Sequence, residues 1–326
     1  MTTNKNLAQL RSCIAKHDLP QHLQGKDNEH LAAAFYQSKL WDPNSTIKVK
    51  FLDENPDVPR TSKNNMSTIN GDIDPLQQYF FDNPKINITD AVKKIVTERI
   101  QPLVSLKFEF VDKNTDADIR ISFDKSGGAW SELGTDAKNV SSDKATMNLG
   151  WFDVSTVIHE FGHVLGMIHE HQNPVGQNID WNKKNVYDWA RETQGWDKDM
   201  TDKNILNKYD KKQVNGSSFD PLSIMLYFFP ADLTNNGEGT NQNLRLSGLD
   251  MEFINNKYSK NNAKTFFPKI YNESLESNID KSKELASKLA FTSSNKILKV
   301  VLIIVLTILL IVGAYFLVKY LHKKYQ

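Results

Sequence analysis

Residues 159–171 read His-Glu-Phe-Gly-His-Val-Leu-Gly-Met-Ile-His-Glu-His, which sets three imidazoles, a carboxylate and a glycine at fixed offsets in one short stretch. His159 and His163 stand four residues apart, so on a helix they leave the same face one turn apart and can grip one ion. Val154, Val157, Ile158, Phe161, Val164 and Leu165 supply the apolar stripe of such a helix, and Asp153 or Ser155 can accept its first-turn amide hydrogens. Gly166 falls where the helix should stop, because a residue without Cβ enters the left-handed region cheaply and turns the chain back. That turn brings His169 toward the same ion. Three neutral imidazoles leave a fourth tetrahedral position open, as a catalytic Zn2+ requires; closed structural sites more often recruit Cys. Glu160, beside the first ligand, is then the general base for a zinc-bound water. The implied reaction is amide hydrolysis by that water with no covalent enzyme intermediate.

The H-E-x-x-H-x-x-G-x-x-H pattern resembles the metzincin metallopeptidases, and Glu170 directly after the third His resembles the astacin family in particular. Ser223-Ile224-Met225-Leu226-Tyr227 looks like that family's Met-turn. The resemblance implies one catalytic Zn2+ held by His159, His163 and His169, with Met225 as the packing floor beneath it. Tyr227 would be the switchable fifth ligand and oxyanion donor, with Gly166 and Glu170 in structural support. It further implies an endopeptidase acting on protein or peptide, built as an α+β fold: a mixed twisted sheet with the active-site helix above an irregular helical lower part. Leu246 through Tyr258 looks like the last helix of such domains, with Ser247 as N-cap and Leu249, Phe253 and Ile254 as its apolar face. The resemblance spans residues 41–258.

Three features depart from the family pattern. Cys13 is the only cysteine, so no internal disulfide can form. After Glu170 the chain runs His171-Gln172-Asn173-Pro174 where animal astacins carry a charged continuation. In those enzymes the Glu after the third His pairs with a newly cut N-terminus, and nothing in this sequence marks such a cut. His171 is read as a supporting or solvent-facing side chain and not as a ligand. The rival reading, from another functional class, is a catalytically inactive membrane-anchored scaffold that binds peptide or zinc; such a module needs neither Glu160 nor Tyr227.

The elements that must position these residues are legible as pattern. Strands are expected at Ile47–Leu52, Leu106–Val111, Ala117–Phe123 and Ala145–Trp151, with a helix over Ile88–Ile100, an order that suits a mixed sheet backed by two helices. Gly128, Ala129 and Trp130 are expected on an edge strand above the cleft, where an unpaired edge can bind an extended peptide through main-chain hydrogen bonds. Asn182–Thr193 reads as a helix in the lower part. Phe228 and Phe229 are candidates to wall the pocket for the substrate residue just past the scissile bond.

Outside this body, residues 1–40 read as a polar N-terminal segment, propeptide-like, with helical stretches around Asn6–Lys16 and Asn28–Lys39. Cys13 as a thiolate could cap the zinc, as the propeptide Cys of matrixin-type relatives does, but no supporting motif surrounds it. Residues 259–296 are rich in Lys, Asn and Ser and read as a stalk. Within 297–320, Val300–Val318 is apolar except for Thr307 and Gly313, and at 1.5 Å per residue is long enough to cross a membrane as a helix; residues 321–326 form a short tail. The absence of an apolar leader makes a C-terminal tail anchor the simplest topology, with the catalytic part on the cytosolic side, although lysines flank both ends of the run and charge bias leaves the orientation open. A net charge of +1 disfavours a nucleic-acid partner.

Overall fold

The computed structural model describes residues 35–67, 72–175, 179–215 and 218–287. The first strand is β1 (Phe35–Tyr36). The next five, β2 (Thr46–Phe51), β3 (Lys107–Phe110), β4 (Ile119–Ser122), β5 (Ala129–Ser131) and β6 (Met147–Leu149), form a mixed sheet in the order β3-β2-β4-β6-β5. All neighbours are parallel except β5, which runs antiparallel to β6 at one edge. In β2, Ile47 and Val49 are fully buried while Thr46 and Lys48 face solvent, the alternation of a strand with one packed face. A last short strand, β7 (Val214–Asn215), pairs antiparallel with β1.

The helices are α1 (Lys63–Ser67), α2 (Pro75–Asp82), α3 (Ile88–Ile95), α4 (Val154–Val164), α5 (Lys183–Gln194), α6 (Lys198–Thr201), α7 (Gly248–Lys257) and α8 (Ala263–Tyr271). In α3, Ile88, Ala91, Val92 and Ile95 recur at i, i+3, i+4 and i+7 and are buried, and Asn87 caps the start by accepting from Thr89 N. The helix expected to continue to Ile100 instead widens over Val96–Ile100, where Gln101 N bonds Val96 O, and it stops at Pro102. α3 and α4 pack on each other and share one apolar core with the sheet, for instance through Phe108 of β3 edge-on to Phe161 of α4. The expected mixed sheet backed by two helices is therefore present. A second cluster below it, Val186, Ala190, Ile205, Phe229 and Leu233, holds α5 to the turns that follow.

Two expected boundaries move. Phe35, assigned to the N-terminal segment, is a strand residue with no exposure and stacks on Phe253 of α7 at 5.0 Å, so residues 35–40 are part of the folded body, with a single 3-10 turn over Gln37–Lys39 following the strand in place of the α-helix expected to run on to Lys39. Residues 259–287 are not a free stalk. α8 buries Phe267 against α7, and a further helix over 275–287 buries Leu275, Asn278 and Ser282. Among the described residues no helix is long and apolar enough to cross a membrane; the run 300–318 lies outside them, as do Cys13 and the remainder of 1–34.

Candidate active site

α4 carries the first two histidines through the centre of the molecule. Asp153 caps it by accepting from Thr156 N, and Val154, Val157, Ile158, Phe161 and Val164 are all fully buried. At its far end Gly166 adopts φ +92°, with Met167 N bonding Gly162 O at 2.9 Å and Gly166 N bonding His163 O at 2.8 Å, the paired bonds of a Schellman turn. Two carbonyls left over by the helix end are taken by distant donors: Trp41 Nε1 bonds Val164 O at 2.7 Å and Tyr258 Oη bonds Leu165 O at 2.6 Å. The chain then reverses and brings His169 up against the helix.

The result is a converging trio. Among the described residues, His159, His163 and His169 form the one group able to hold a metal, each offering a ring nitrogen within 4.8 Å of the others. His159 Nδ1 lies 2.8 Å from Ile224 O and His163 Nδ1 lies 2.8 Å from Met167 O. A carbonyl can only accept, so both Nδ1 atoms carry the hydrogen and both Nε2 atoms present lone pairs. His159 Nε2 is buried and has no hydrogen-bond partner among the described residues. His163 Nε2 and His169 Nε2 stand 3.0 Å apart; two ligands on Zn–N bonds of 2.0–2.1 Å at the tetrahedral angle would stand about 3.3 Å apart. Burial holds the His159 pKa down at about 4, so the ring is neutral near pH 7 as ligation requires. The donor set fits a zinc ion.

Around the trio, Glu160 is 1% exposed and next to His159 on α4. The Tyr227 ring lies 4.3 Å from the His169 ring and 6.0 Å from that of His159. Met225 is buried, and its backbone carbonyl accepts from Glu170 N at 3.0 Å. Glu170 is buried too, and its Oε1 accepts from Asp220 N and Asn173 Nδ2; burial first, and the Asp220 charge second, push its pKa well above the usual carboxylate range. His171 is not solvent-facing. It is 2% exposed, its ring lies between those of His169, Tyr227 and Phe229, and its Nε2 donates to Asn204 O.

The expected substrate-binding residues divide. Ala129 and Trp130 lie on β5, which among the described residues pairs only with β6, and Gly128 precedes them with φ +69° and its carbonyl held by Asn148 Nδ2. Phe228 is exposed, whereas Phe229 is buried against His171 and Trp181, so the two rings point into different surroundings and only Phe228 is open to solvent. Two features escaped the sequence reading. Gly162 lies so close to Met225 that a Cβ there would meet Met225 Sδ at 2.6 Å; the H-E-x-x-H spacing says nothing about that position. Asp250 accepts from Ser223 Oγ and Ile224 N, and so holds the Met-turn from beneath; its only sequence signal is its place three residues after the N-cap Ser247, which completes a capping box.

A family model described as Astacin, a peptidase family, matches residues 78–259. The chain belongs to the astacin family. It is a zinc metalloendopeptidase by that membership, and its sheet and helices are the astacin-like metzincin α+β fold. It is similar to a solved structure of myroilysin at 32% identity and TM-score 0.53, covering 69% of this chain and 98% of that one. A crystal structure of myroilysin matches at 30% identity over 68% and 86% of the two chains, with TM-score 0.42. High choriolytic enzyme 1, a hatching enzyme zinc-protease from Oryzias latipes (medaka fish), is a distant likeness at 15% identity and TM-score 0.39 over 68% and 96%. No curated protein matches the chain.

Proposed function

We propose that this astacin-family peptidase is anchored to a membrane through the apolar run 300–318, and that His159, His163 and His169 hold its zinc while Glu160 moves the proton. The convergence of three ring nitrogens, two of them fixed in tautomer by carbonyls, is the observation that carries the reading. Bound zinc supplies Lewis acidity, polarising a peptide carbonyl and lowering the pKa of a coordinated water from 15.7 to about 7. The Glu160 carboxylate takes the proton from the attacking water and delivers it to the leaving amine. Tyr227 Oη donates a hydrogen bond to the carbonyl oxygen as negative charge grows on it. Ile224 O and Met167 O keep the His159 and His163 rings from rotating, so the site is set before substrate arrives. Met225 and Glu170 support the floor, and Gly166 turns the chain so that His169 can join. An extended peptide would add to the open edge of β5 beside Gly128, Ala129 and Trp130, with Phe228 on the far side of the scissile bond.

Glu160→Gln tests the mechanism. It should retain one zinc per chain while kcat on a peptide library falls by about 10^2 to 10^4, the span typical of a lost general base. Wild-type turnover by that variant, or zinc absent from the wild type, would overturn the proposal.

A further inference from the structure

The family match ends at residue 259, yet the chain beyond it packs back on the body at Gly248 and Asp220. In the helix over 275–287, Leu275, Asn278 and Ser282 are at most 2% exposed and recur at i, i+3 and i+7, so one face is sunk into the body. Asn278 Oδ1 accepts from Gly248 N at 2.7 Å, satisfying an otherwise unpaired donor at the start of α7. Ser282 Oγ donates to Asp220 Oδ1 at 2.5 Å.

From Asp220 an unbroken run of hydrogen bonds leads to the ligands. Asp220 Oδ2 accepts from Ser247 Oγ at 2.6 Å, and Ser247 Oγ accepts from Asp250 N at 2.8 Å. Asp250 Oδ2 accepts from Ile224 N at 2.8 Å, and Ile224 O takes the Nδ1 hydrogen of His159 at 2.8 Å. A second branch leaves Asp220 through its own N–H to Glu170 Oε1 at 2.9 Å, and Glu170, next to His169, bonds Met225 O. Asp220, Ser223, Ser247 and Asp250 are all 2% exposed or less, so water cannot easily replace a lost partner.

We propose that Ser282 is a positioning residue for the peptidase site, and that the helix over 275–287 is a strut fixing the loop that orients His159 and underlies His169. The proposal rests on the reading of these histidines as zinc ligands. A helix that only added stability would need its apolar contact at Leu275 and no hydroxyl aimed at Asp220. Removing the hydroxyl leaves Asp220 Oδ1, a buried carboxylate oxygen, with Leu222 N in place of two donors, and Asp220 then shifts toward the donors it keeps at Leu222 and Ser247, carrying the Glu170 branch with it.

The test uses the full chain in detergent micelles, with zinc content, zinc affinity by chelator competition, kcat and KM measured for each variant. Ser282→Ala should weaken zinc binding and lower kcat by about threefold to tenfold with KM little changed, below the 10- to 100-fold loss expected when a direct partner of a ligand is removed. Ser282→Thr, which keeps the hydroxyl, should restore both. Lys283→Ala, on the exposed side of the same helix, should match wild type. Where the alanine variant is unfolded, Ser282→Cys carries the test, since it keeps the shape and offers only a weak donor. If Ser282→Ala lowers the melting temperature but leaves zinc affinity, kcat and KM unchanged, the strut only props the fold and the proposal is wrong. If wild type itself binds no zinc, the ligand reading has failed first, and the two results are distinct.

Discussion

Asp250 is a fully buried carboxylate whose pKa is raised to about 7 by burial and by the neighbouring Asp220. Its folded pKa lies above the 3.8 of an unperturbed aspartate, so the native state binds its proton more tightly than the unfolded chain does. The stability this proton contributes is present in full below about pH 4 and is lost as pH rises through about 7. Asp250→Asn mimics the protonated form: its oxygen can still accept from Ile224 N and Ser247 N, and its NH2 can turn to Ser223 Oγ. In chelator, to remove zinc linkage, the variant should therefore lose less stability than wild type between about pH 4 and 7 in urea unfolding; parallel pH slopes would exclude Asp250 as the source. His159 has the opposite sign. Its pKa is depressed to about 4 by burial, so its contribution is full above about pH 6.5 and is lost on acidification through 4, the range in which zinc should also leave. On the proposed mechanism the Tyr227 hydroxyl acts in the reaction while its ring packs against the lower cluster. Tyr227→Phe keeps the ring against His169 and should lower kcat by about 10^2 to 10^3 while KM and zinc content stay near wild type, as steady-state kinetics and metal analysis would record.

A second element closes on the active-site helix, and Met225 Sδ lies where a Cβ on Gly162 would have to go. Gly162→Ala would raise helix propensity but drive a methyl into the sulfur, an overpacking that costs about 1–3 kcal/mol. Combined with Met225→Ala the cost should largely vanish, and a double-mutant cycle by urea unfolding reads the coupling directly; additive losses would mean the two do not press on each other. This contact also marks where sequence reading stops. α3, α4, α5 and α7 announced themselves through their residue pattern, α4 and α7 also through the caps Asp153 and Ser247, and the strands through their apolar runs, because those signals are local; the caps at Asn87 and Asn182 emerged only in the structure. The His trio was legible for the same reason, since a helix and one glycine turn fix its geometry within a few residues. β1 is too short to show any period. Phe228 and Phe229 looked equivalent, yet only Phe229 entered the lower core while Phe228 stayed exposed. The bond from Ser282 to Asp220 joins positions 62 apart, and no spacing rule reports a partner at that distance.

At the scale of the whole molecule, the folding unit is larger than the stretch that resembles the family. Residues 41–258 contain every candidate catalytic group, but cutting there removes Phe35 from its stack on Phe253 and strips Phe267, Leu275, Asn278 and Ser282 from the opposite side. Losing one large buried aromatic costs about 3–5 kcal/mol, and a domain's net stability is only about 5–15 kcal/mol, so two such losses with two buried hydrogen bonds approach the whole of it. A 35–287 piece should fold cooperatively, bind one zinc and cleave peptides, while a 41–258 piece should be unfolded or aggregated at 37 °C; circular dichroism melting of the two decides it, and equal melting temperatures would refute the larger unit. The same packing limits the proposed anchor. With the helix over 275–287 docked on the body, only residues 288–299 separate it from the apolar run, an extended reach of at most about 40 Å. The full chain should therefore float with liposomes and cut vesicle-tethered peptides faster than the 35–287 piece does, with equal rates on a free peptide. Equal rates on tethered and free peptide for both proteins would remove the anchor from the function.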